Sequence, residues 1–248
     1  MLLATFAIAT LLWFSTNIER STPRDYPEIR KEGVLRIVTE YNSVGYYVSG
    51  DTIEGFQYEL SKAIEKISGL TVNIYVENNM EKSIEGLNNH TYDIIARNIP
   101  ITTENRSLFA FTEPITLNRQ VLVQRTAETN NGFPPIRNQM ELAKKNVHVP
   151  QNSPSILRLR NLEAEIADTI FIYEDPLYTD ELLIFQVAAG DIDYAVVDYE
   201  IAAKNKTNFP QIDIQTDISF TQLQAWAVRK DAPILLDSLN NWLKQCIF

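Results

Sequence analysis

Short β-rich runs alternate with amphipathic stretches of helical period along this chain, and the alternation limits the possible folds more than any other feature. The runs at 34–39 (VLRIVT) and 71–76 (TVNIYV) have the composition of strands. Between them lies a stripe that only a helix gathers on one face, made of Phe56, Leu60, Ala63, Ile64 and Ile67. A helix at 81–87 and a strand at 92–96 complete a βαβαβ order, which predicts an α/β fold with a parallel, doubly wound sheet.

The second half of the chain repeats this order. Strands are predicted at 121–124, 147–149, 169–173, 194–197 and 223–228, and helices after Pro154, at 180–189 and at 235–243. Two α/β units in tandem place a ligand crevice between them, at the carboxyl ends of strands.

The charge and the cysteine and histidine counts exclude several classes of function. The formal net charge is −10 and the basic residues form no cluster, so we expect no nucleic-acid partner. The one cysteine, Cys246, excludes an internal disulfide and a CxxC metal site. His90 and His148 stand far apart in the sequence, which leaves little material for a zinc site or a serine triad. We therefore expect no metal and no cofactor.

The N-terminus carries the targeting signal of this sequence. Residues 1–14 (MLLATFAIATLLWF) are uncharged and almost wholly apolar. They are shorter than the roughly 20 residues of a membrane-spanning helix and match the core of a secretory signal peptide, although a basic leader is missing. We interpret 1–24 as a signal peptide or an N-terminal membrane anchor plus a linker, with a buried first helix as the alternative. The protein is then periplasmic, free or tethered to the inner membrane, and touches the membrane only through its N-terminus.

Five short segments follow one another in a characteristic order and spacing. They are 55–60 (GFQYEL), 93–96 (DIIA), 101–104 (ITTE), 111–114 (FTEP) and 190–198 (GDIDYAVVD). Together they resemble the bacterial family 3 extracellular solute-binding proteins, which serve polar amino-acid transporters. The resemblance implies a two-lobed periplasmic-binding-protein type 2 fold, each lobe a sheet flanked by helices, with two crossover hinge segments. Lobe 1 is expected at 25–118 and 226–248, and lobe 2 at 119–225.

Three further segments are similar to the N-terminal binding domain of the membrane-bound lytic transglycosylases of type F. They are 119–125 (RQVLVQR), 149–154 (VPQNSP) and 225–228 (AWAV). In those enzymes a lysozyme-like domain follows and cleaves peptidoglycan. This chain stops soon after the binding domain closes, so we expect the hydrolytic half to be absent and the protein not to be an enzyme.

The resemblance also implies which residues hold a ligand. The family binds a ligand carboxylate with the arginine of T-x-x-R, because a guanidinium offers two parallel donors, and binds an ammonium with an aspartate at the place of Asp198. Here Thr102 is followed by Asn105 at the arginine position. Arg106 lies one residue late, a rotation of about 100° on a helix, and Arg97 at a strand end is the other candidate. The carboxylate anchor is either one of these two arginines or lost.

The remaining candidates lie at strand ends and helix starts. Ser153 precedes a helix whose free N–H groups could bind an anion, or it is a plain cap. Tyrosines after the first strand could stack on a ligand, and Glu40 could face a cationic group. The expected ligand-binding residues are Glu40, Tyr41, Tyr46, Arg97, Asn98, Thr102, Asn105, Arg106, Ser153 and Asp198.

Three functions fit this sequence. The first is a receptor that captures an amino acid or short peptide for the membrane permease of an ABC-type importer. The second is a non-catalytic sensor domain that binds cell-wall peptides. The third is an enzyme using Glu40 and Asp198 as a carboxylate pair, which lacks a nucleophile, metal set or phosphate loop around it.

Overall fold

The computed structural model describes residues 24–247 and arranges them around two β-sheets, each covered by helices on both faces. This is the two-lobed α/β fold that the sequence predicts. The expected signal peptide or anchor at 1–24 lies outside the described residues except for Arg24. Among residues 24–247, no helix combines the length and the apolar character that a membrane crossing requires.

Lobe 1 is built on the first sheet. Its strands are β1 (Val34–Thr39), β4 (Thr71–Val76), β5 (Ile94–Pro100), β6 (Ala110–Phe111), β7 (Thr116–Asn118) and β13 (Gln222–Val228). They run in the order β4–β1–β5–β13–β6, with β7 also paired to β13. The helices of this lobe are α1 (Tyr26–Glu32), α2 (Phe56–Ser68), α3 (Met80–Asn88), α4 (Thr103–Leu108) and α8 (Pro233–Ile247). A separate hairpin consists of β2 (Tyr47–Ser49) and β3 (Thr52–Glu54).

Lobe 2 is built on the second sheet. Its strands are β8 (Gln120–Arg125), β9 (Asn146–Pro150), β10 (Phe171–Asp175), β11 (Ala195–Asp198) and β12 (Ile212–Asp217), in the order β10–β9–β11–β8–β12. Its helices are α5 (Ser155–Ile166), α6 (Asp180–Ala189) and α7 (Tyr199–Lys206), with short 3-10 turns at Ala127–Thr129 and Gln139–Leu142.

The sheets are mixed, whereas the strand–helix order predicts parallel ones. In lobe 1, β4, β1 and β5 are parallel, but β13 runs antiparallel to β5. In lobe 2, β10, β9 and β11 are parallel, but β8 runs antiparallel to both β11 and β12. The prediction was wrong for β8 and β13, because each of these strands directly follows a crossing between the lobes, without a helical crossover that would return it in the same direction. β12 follows the helix α7 and runs parallel to β11.

The chain crosses between the lobes twice. The first crossing joins β7 to β8 at Asn118 and Arg119, and the second lies between β12 and β13, at 218–221. The residues of β13 pair within the first sheet, apart from Trp226 at a bulge, although 222–225 fall in the expected range of lobe 2. Each lobe also has its own apolar cores, so the crossings join two separately packed units.

The apolar side chains of the helical stripe at 56–67 are buried on the face that its period predicts. Leu60 and Ile64 of α2 are buried against the first sheet and α8, in a core that contains Trp226. Each side chain of this size contributes about 1.5–3 kcal/mol when it leaves water. Phe56 and Ile67 at the ends of the stripe stay partly exposed. The stripe therefore fixes which face of α2 turns to the sheet.

Candidate functional site

The two lobes meet across a cleft at the carboxyl ends of strands, where the loop after β1 contacts lobe 2. Ser43 donates to Glu181 Oε1 through its backbone N–H at 2.8 Å and through its hydroxyl at 3.1 Å. The side-chain amide of Asn205 donates to the Ser43 hydroxyl at 3.1 Å. Val44 packs against the apolar core of lobe 2. The cleft is therefore closed at this loop.

The glycine directly before α2 leaves space for the loop after β1 to take this position. Gly55 has φ +123°, and a Cβ there would overlap the backbone of Gly45. With that space free, the Phe56 N–H donates to Val44 O at 2.9 Å. The loop is also stiffened by its own Asn42, whose Oδ1 accepts the Gly45 N–H at 2.6 Å. The N-terminus of α2 thus holds the loop that reaches lobe 2.

A second bridge between the lobes is centred on Glu200, in the first turn of α7. Its Oε2 accepts from the side-chain amide of Asn98 at 3.4 Å, and its Oε1 accepts from the Thr116 hydroxyl at 3.4 Å. Both donors belong to lobe 1. A carboxylate of lobe 2 therefore takes hydrogen bonds from two strands of lobe 1.

The Asn98 amide is oriented by a chain of hydrogen bonds that begins in the lobe 1 core. The indole N–H of buried Trp226 donates to Gln57 Oε1, at 2.6 Å, and Gln57 Nε2 donates to Asn98 Oδ1, at 2.9 Å. Because an indole can only donate, each amide in turn presents its NH₂ group to the next residue. Asn98 is thereby left with its NH₂ group facing lobe 2, where it requires an acceptor such as Glu200.

Carboxyl groups gather in the cleft around Asp198, at the end of β11. The backbone N–H of Asp198 donates to Asp180 Oδ2 at 3.2 Å, and the Asp198 side chain does not cap α7, although it occupies the N-cap position. Burial, followed by repulsion from Glu40 and Glu200, raises the pKa of Asp198 to about 7. Burial, followed by repulsion from Asp198, Glu181 and Glu40, raises the pKa of Asp180 well above its usual value. The cleft therefore concentrates negative charge.

The pKa of Glu200 is also raised, chiefly by burial, and the hydrogen bonds from Thr116 and Asn98 only offset part of that effect. Within residues 24–247, Asp180, Asp198 and Glu200 form no ion pair with a cationic side chain within 4.0 Å. A ligand with positive charge would supply such a partner.

Of the two candidate arginines, Arg97 lies beside Glu40 and Arg106 lies away from the interlobe bridges. Arg97 is 5% exposed and donates within lobe 1, to Asn78 O at 3.3 Å and to Ser83 Oγ at 3.2 Å. Its guanidinium also lies 3.5 Å from Glu40. Arg106 is exposed in α4 and takes part in neither interlobe bridge. Both Nη atoms of Arg97 thus donate to lobe 1 groups, while its buried Nε has no hydrogen-bond partner among the described residues.

The neighbouring candidates Thr102 and Asn105 stabilise their own turn. The Thr102 hydroxyl accepts the Asn105 N–H at 3.2 Å as the cap of α4, and the Asn105 amide donates to Pro100 O at 2.9 Å. In lobe 2, the Ser153 hydroxyl accepts the Ser155 N–H at 3.2 Å, so it makes the bond of a local cap.

The candidate tyrosines flank the loop after β1. Tyr41 is 47% exposed, and the Tyr46 ring packs edge-on to Tyr58 with centroids 5.9 Å apart. Tyr47, the third tyrosine after the first strand, lies under Lys204 of lobe 2, whose Nζ is 5.8 Å from the ring centroid. The structure therefore brings Glu40, Asn98 and Asp198 to the cleft, with tyrosines beside the loop.

Sequence reasoning missed several residues that join the lobes or surround Asp198. They are Ser43, Thr116, Asp180, Glu181, Glu200 and Asn205. Acidic residues in a first helical turn are expected for reasons of helix polarity alone, so Asp180, Glu181 and Glu200 gave no separate signal. Glu200 could have been found as the second carboxylate at the carboxyl end of β11.

Neither the open hollow on lobe 2 nor any metal-binding group among the described residues coincides with the cleft carboxylates. An open hollow of about 610 Å³ on lobe 2 is lined by Arg119, Tyr199, Lys206 and Asp217 among others, and includes none of the cleft carboxylates. Within 24–247, no three His, Cys, Asp or Glu residues are grouped so that they could hold a metal ion.

Comparison with known proteins gives a family match over most of the chain. The model of the bacterial extracellular solute-binding proteins, family 3, matches residues 35–247. This range contains both sheets and both bridges between the lobes.

The curated relatives are membrane-bound lytic murein transglycosylases F. The one from Desulfosudis oleivorans is 29% identical over 242 residues, which cover 95% of this chain and 52% of that protein. The one from Aeromonas salmonicida is 31% identical over 203 residues, which cover 82% of this chain and 40% of that protein. The chain thus spans about half the length of the curated relatives it matches.

Solved structures of amino-acid-binding proteins share the fold. The holo form of ArgBP from T. maritima superposes with a TM-score of 0.75 at 24% identity, covering 89% of this chain and 93% of that one. Tv2483 bound to L-arginine gives a TM-score of 0.76 at 19% identity, covering 89% of both chains. The two-lobed type 2 fold that the sequence predicts is confirmed by these superpositions.

Proposed function

Since the chain belongs to the bacterial extracellular solute-binding proteins, family 3, we propose that it captures a small polar ligand, an amino acid or a short peptide, between its two lobes. One observation carries this proposal: side chains of lobe 1 and lobe 2 bond to each other across the cleft, through Ser43 with Glu181 and through Asn98 with Glu200. A protein that opens and closes at its crossings would make and break such contacts as it binds.

The experiment that tests this proposal is a titration of the purified protein with single amino acids and short cell-wall peptides, followed by calorimetry. We expect one of them to bind with heat that disappears in Asp198→Asn or Glu200→Gln. An exposed carboxylate of the same lobe, Asp191, gives the matched control Asp191→Asn, which should bind as the parent does. Absence of binding by every ligand in the panel would contradict the proposal.

We propose a periplasmic location and delivery of the ligand to the permease of an ABC-type importer. The family's extracellular character supports the location. Deletion of the gene from the source bacterium should abolish uptake of the radiolabelled ligand, and a plasmid copy should restore it. Unchanged uptake would favour the second candidate.

The second candidate is a sensor domain that binds cell-wall peptides without cleaving the wall. The match to about half of several lytic murein transglycosylases F favours it.

Under either function we propose that the protein is not an enzyme, because a cleft bridged by side chains of both lobes admits a small molecule rather than a glycan polymer. Purified sacculi that are incubated with the protein should release no soluble muropeptides. Release that Glu40→Gln abolishes would contradict this, whereas release that survives the substitution would come from a contaminating hydrolase.

A further inference from the structure

The charge of the cleft is unbalanced in a way that bears on the ligand. Carboxylates reach it from both lobes: Glu40 follows β1, Asp180 and Glu181 begin α6, Asp198 ends β11 and Glu200 begins α7. Asp180 and Asp198 are bridged through the Asp198 N–H, and Glu200 faces Asn98 and Thr116 of lobe 1.

Positive side chains do not compensate this charge within the described part of the chain. Arg97 lies 3.5 Å from Glu40, while Asp180, Glu181, Asp198 and Glu200 have no ion pair within 4.0 Å among residues 24–247. Uncompensated carboxylates that leave water cost several kcal/mol in rough terms. A cationic ligand would remove that cost on binding.

Two cations at the margin of the cleft have other partners. Arg119 pairs with Asp217 at 2.7 Å and stacks on Tyr199, with its guanidinium carbon 3.8 Å from the ring centroid. Lys204 is exposed and lies over the Tyr47 ring. Neither side chain contacts the carboxylates around Asp198.

An unpartnered acceptor beside the Thr116–Glu200 contact points to a ligand independently. Gln224 is 3% exposed, and its Oε1 has no hydrogen-bond partner among the described residues. Gln224 lies opposite Thr116 in the antiparallel β7–β13 pair, so both side chains project from the same face. The Thr116 hydroxyl on that face reaches Glu200. A buried acceptor without a partner is costly, and a ligand N–H would satisfy it.

We propose that the cleft binds a small organic cation with amine or guanidine groups and no free carboxylate, which contacts Asp198 and Gln224. This inference rests on the proposed function of the cleft. An α-carboxylate would be desolvated among carboxylates without a free pair of parallel donors, because both Nη atoms of Arg97 donate within lobe 1 and the Asn105 amide donates to Pro100 O. An organic cation fits better than a metal ion, since the carboxylates of residues 24–247 form no metal-ligand group.

The decisive experiment compares amino acids with their decarboxylated forms. Agmatine is measured against L-arginine, and cadaverine against L-lysine, by calorimetry at pH 8, with L-glutamine and L-glutamate added to the panel. We expect at least one decarboxylated compound to bind about tenfold or more tightly than its parent amino acid, a difference of about 1.4 kcal/mol. Equal or tighter binding of the parents, or no binding of either cation, would overturn the proposal.

Variants show whether the binding uses the named residues. Asp198→Asn should weaken the tighter cation about tenfold or more, and Gln224→Met, which keeps the side-chain size, should weaken it several-fold. Asp191→Asn and Gln245→Met, at exposed positions, are the controls and should leave affinity unchanged. Arg106→Ala should also have no effect. Thermal unfolding of each variant checks that it is folded, and folded Asp198→Asn and Gln224→Met proteins with parental affinity would contradict the assignment.

The panel also separates this inference from the proposed function. Should L-glutamine, L-glutamate or a parent amino acid bind best and lose affinity in Asp198→Asn, the cleft is a ligand site but its ligand keeps a carboxylate. Should nothing in the panel bind, both the inference and the proposed function fail.

Discussion

Asp198 is the residue whose ionisation most directly reports on the cleft. Its pKa of about 7, raised by burial and then by Glu40 and Glu200, means that the folded protein holds this proton more tightly than the unfolded chain does. The stabilising contribution of the proton is complete below the ordinary aspartate pKa near 3.9 and is lost as the pH rises through about 7. Asp180 and Glu200 shift in the same direction.

Replacing Asp198 by Asn should therefore stabilise the ligand-free protein at pH 8. We expect the unfolding midpoint to rise by a few degrees there, because about 2–4 °C corresponds to 1 kcal/mol in a chain of this size, and to change little at pH 4. Calorimetric melts of wild type and Asp198→Asn across this pH range measure the difference.

The control for this comparison is Asp191→Asn, since Asp191 is exposed and precedes the same strand. Its unfolding midpoint should stay close to that of wild type, because the side chain is exposed. An Asp198→Asn protein whose stability follows the wild type at every pH would show that Asp198 ionises normally.

At the scale of elements, a buried ion pair fixes the start of β5 to the N-terminal side of α1. Asp93 is fully buried; it lies 2.7 Å from Arg24 Nε and accepts the Arg36 N–H at 3.0 Å. Arg229, at the end of β13, donates to the Arg24 carbonyl. Arg24, placed in the expected linker, is therefore a buried part of lobe 1.

Removal of one partner should be costly. Asp93→Ala leaves buried Arg24 with only the half-exposed Glu32 as a carboxylate partner and removes the carboxylate near buried Arg229, so we expect the free energy of unfolding to fall by about 3–5 kcal/mol. Asp168→Ala, which breaks an exposed pair with Lys144 at 3.8 Å, should cost about 0–1 kcal/mol. Urea denaturation of both variants provides the values. Similar losses in the two would mean that the Arg24–Asp93 pair contributes no more than a surface pair.

The elements that the sequence predicted well are those whose residue pattern fits only one kind of secondary structure. The strand at 71–76 and the helix at 180–189 have the predicted bounds. By contrast, α1, α7 and β12 were not predicted. α1 is set by a capping box of Asp25 with Glu28 rather than by an apolar stripe, and β12 pairs irregularly with β8 around a bulge.

The candidate site was harder to predict than the fold, since its partners come from separate segments. The bond from Ser43 to Glu181 spans 138 positions and that from Asn98 to Glu200 spans 102. Local pattern singled out Asp198 at a strand end, but it could not show that Arg97 would be taken up by Asn78 and Ser83 of its own lobe. Long-range pairing of this kind is determined by topology and packing.

At the scale of the whole molecule, the closed arrangement depends on the NH₂ group of Asn98 facing Glu200. Asn98→Asp would put a carboxylate against Glu200 while Gln57 Nε2 still donates to the neighbouring oxygen, so lobe 1 should remain folded. We expect the ligand-free variant to open, with a larger radius of gyration than wild type in small-angle X-ray scattering. Asn208→Asp, at an exposed site, should leave the radius unchanged.

An unchanged radius for Asn98→Asp, with the melting temperature of a folded protein, would mean that the Glu200 bridge does not hold the lobes together. In that case the bridge at Ser43 is the contact to vary next, through Glu181→Gln.

Because β7 pairs with β13, lobe 2 is an insertion within lobe 1, whose first sheet is continuous across the insertion point. Asn118, where the chain leaves lobe 1, is the strand partner of Gln222, where it comes back. Partners of this kind have Cα atoms only about 5 Å apart, a gap that a two-residue turn such as Asn-Gly spans. Lobe 2 could therefore be excised, or exchanged for the corresponding lobe of another protein, by cutting the chain at these two neighbouring positions. Recombination between genes could exchange lobe 2 at the same two positions. The contribution of one lobe to ligand specificity could then change independently of the other lobe.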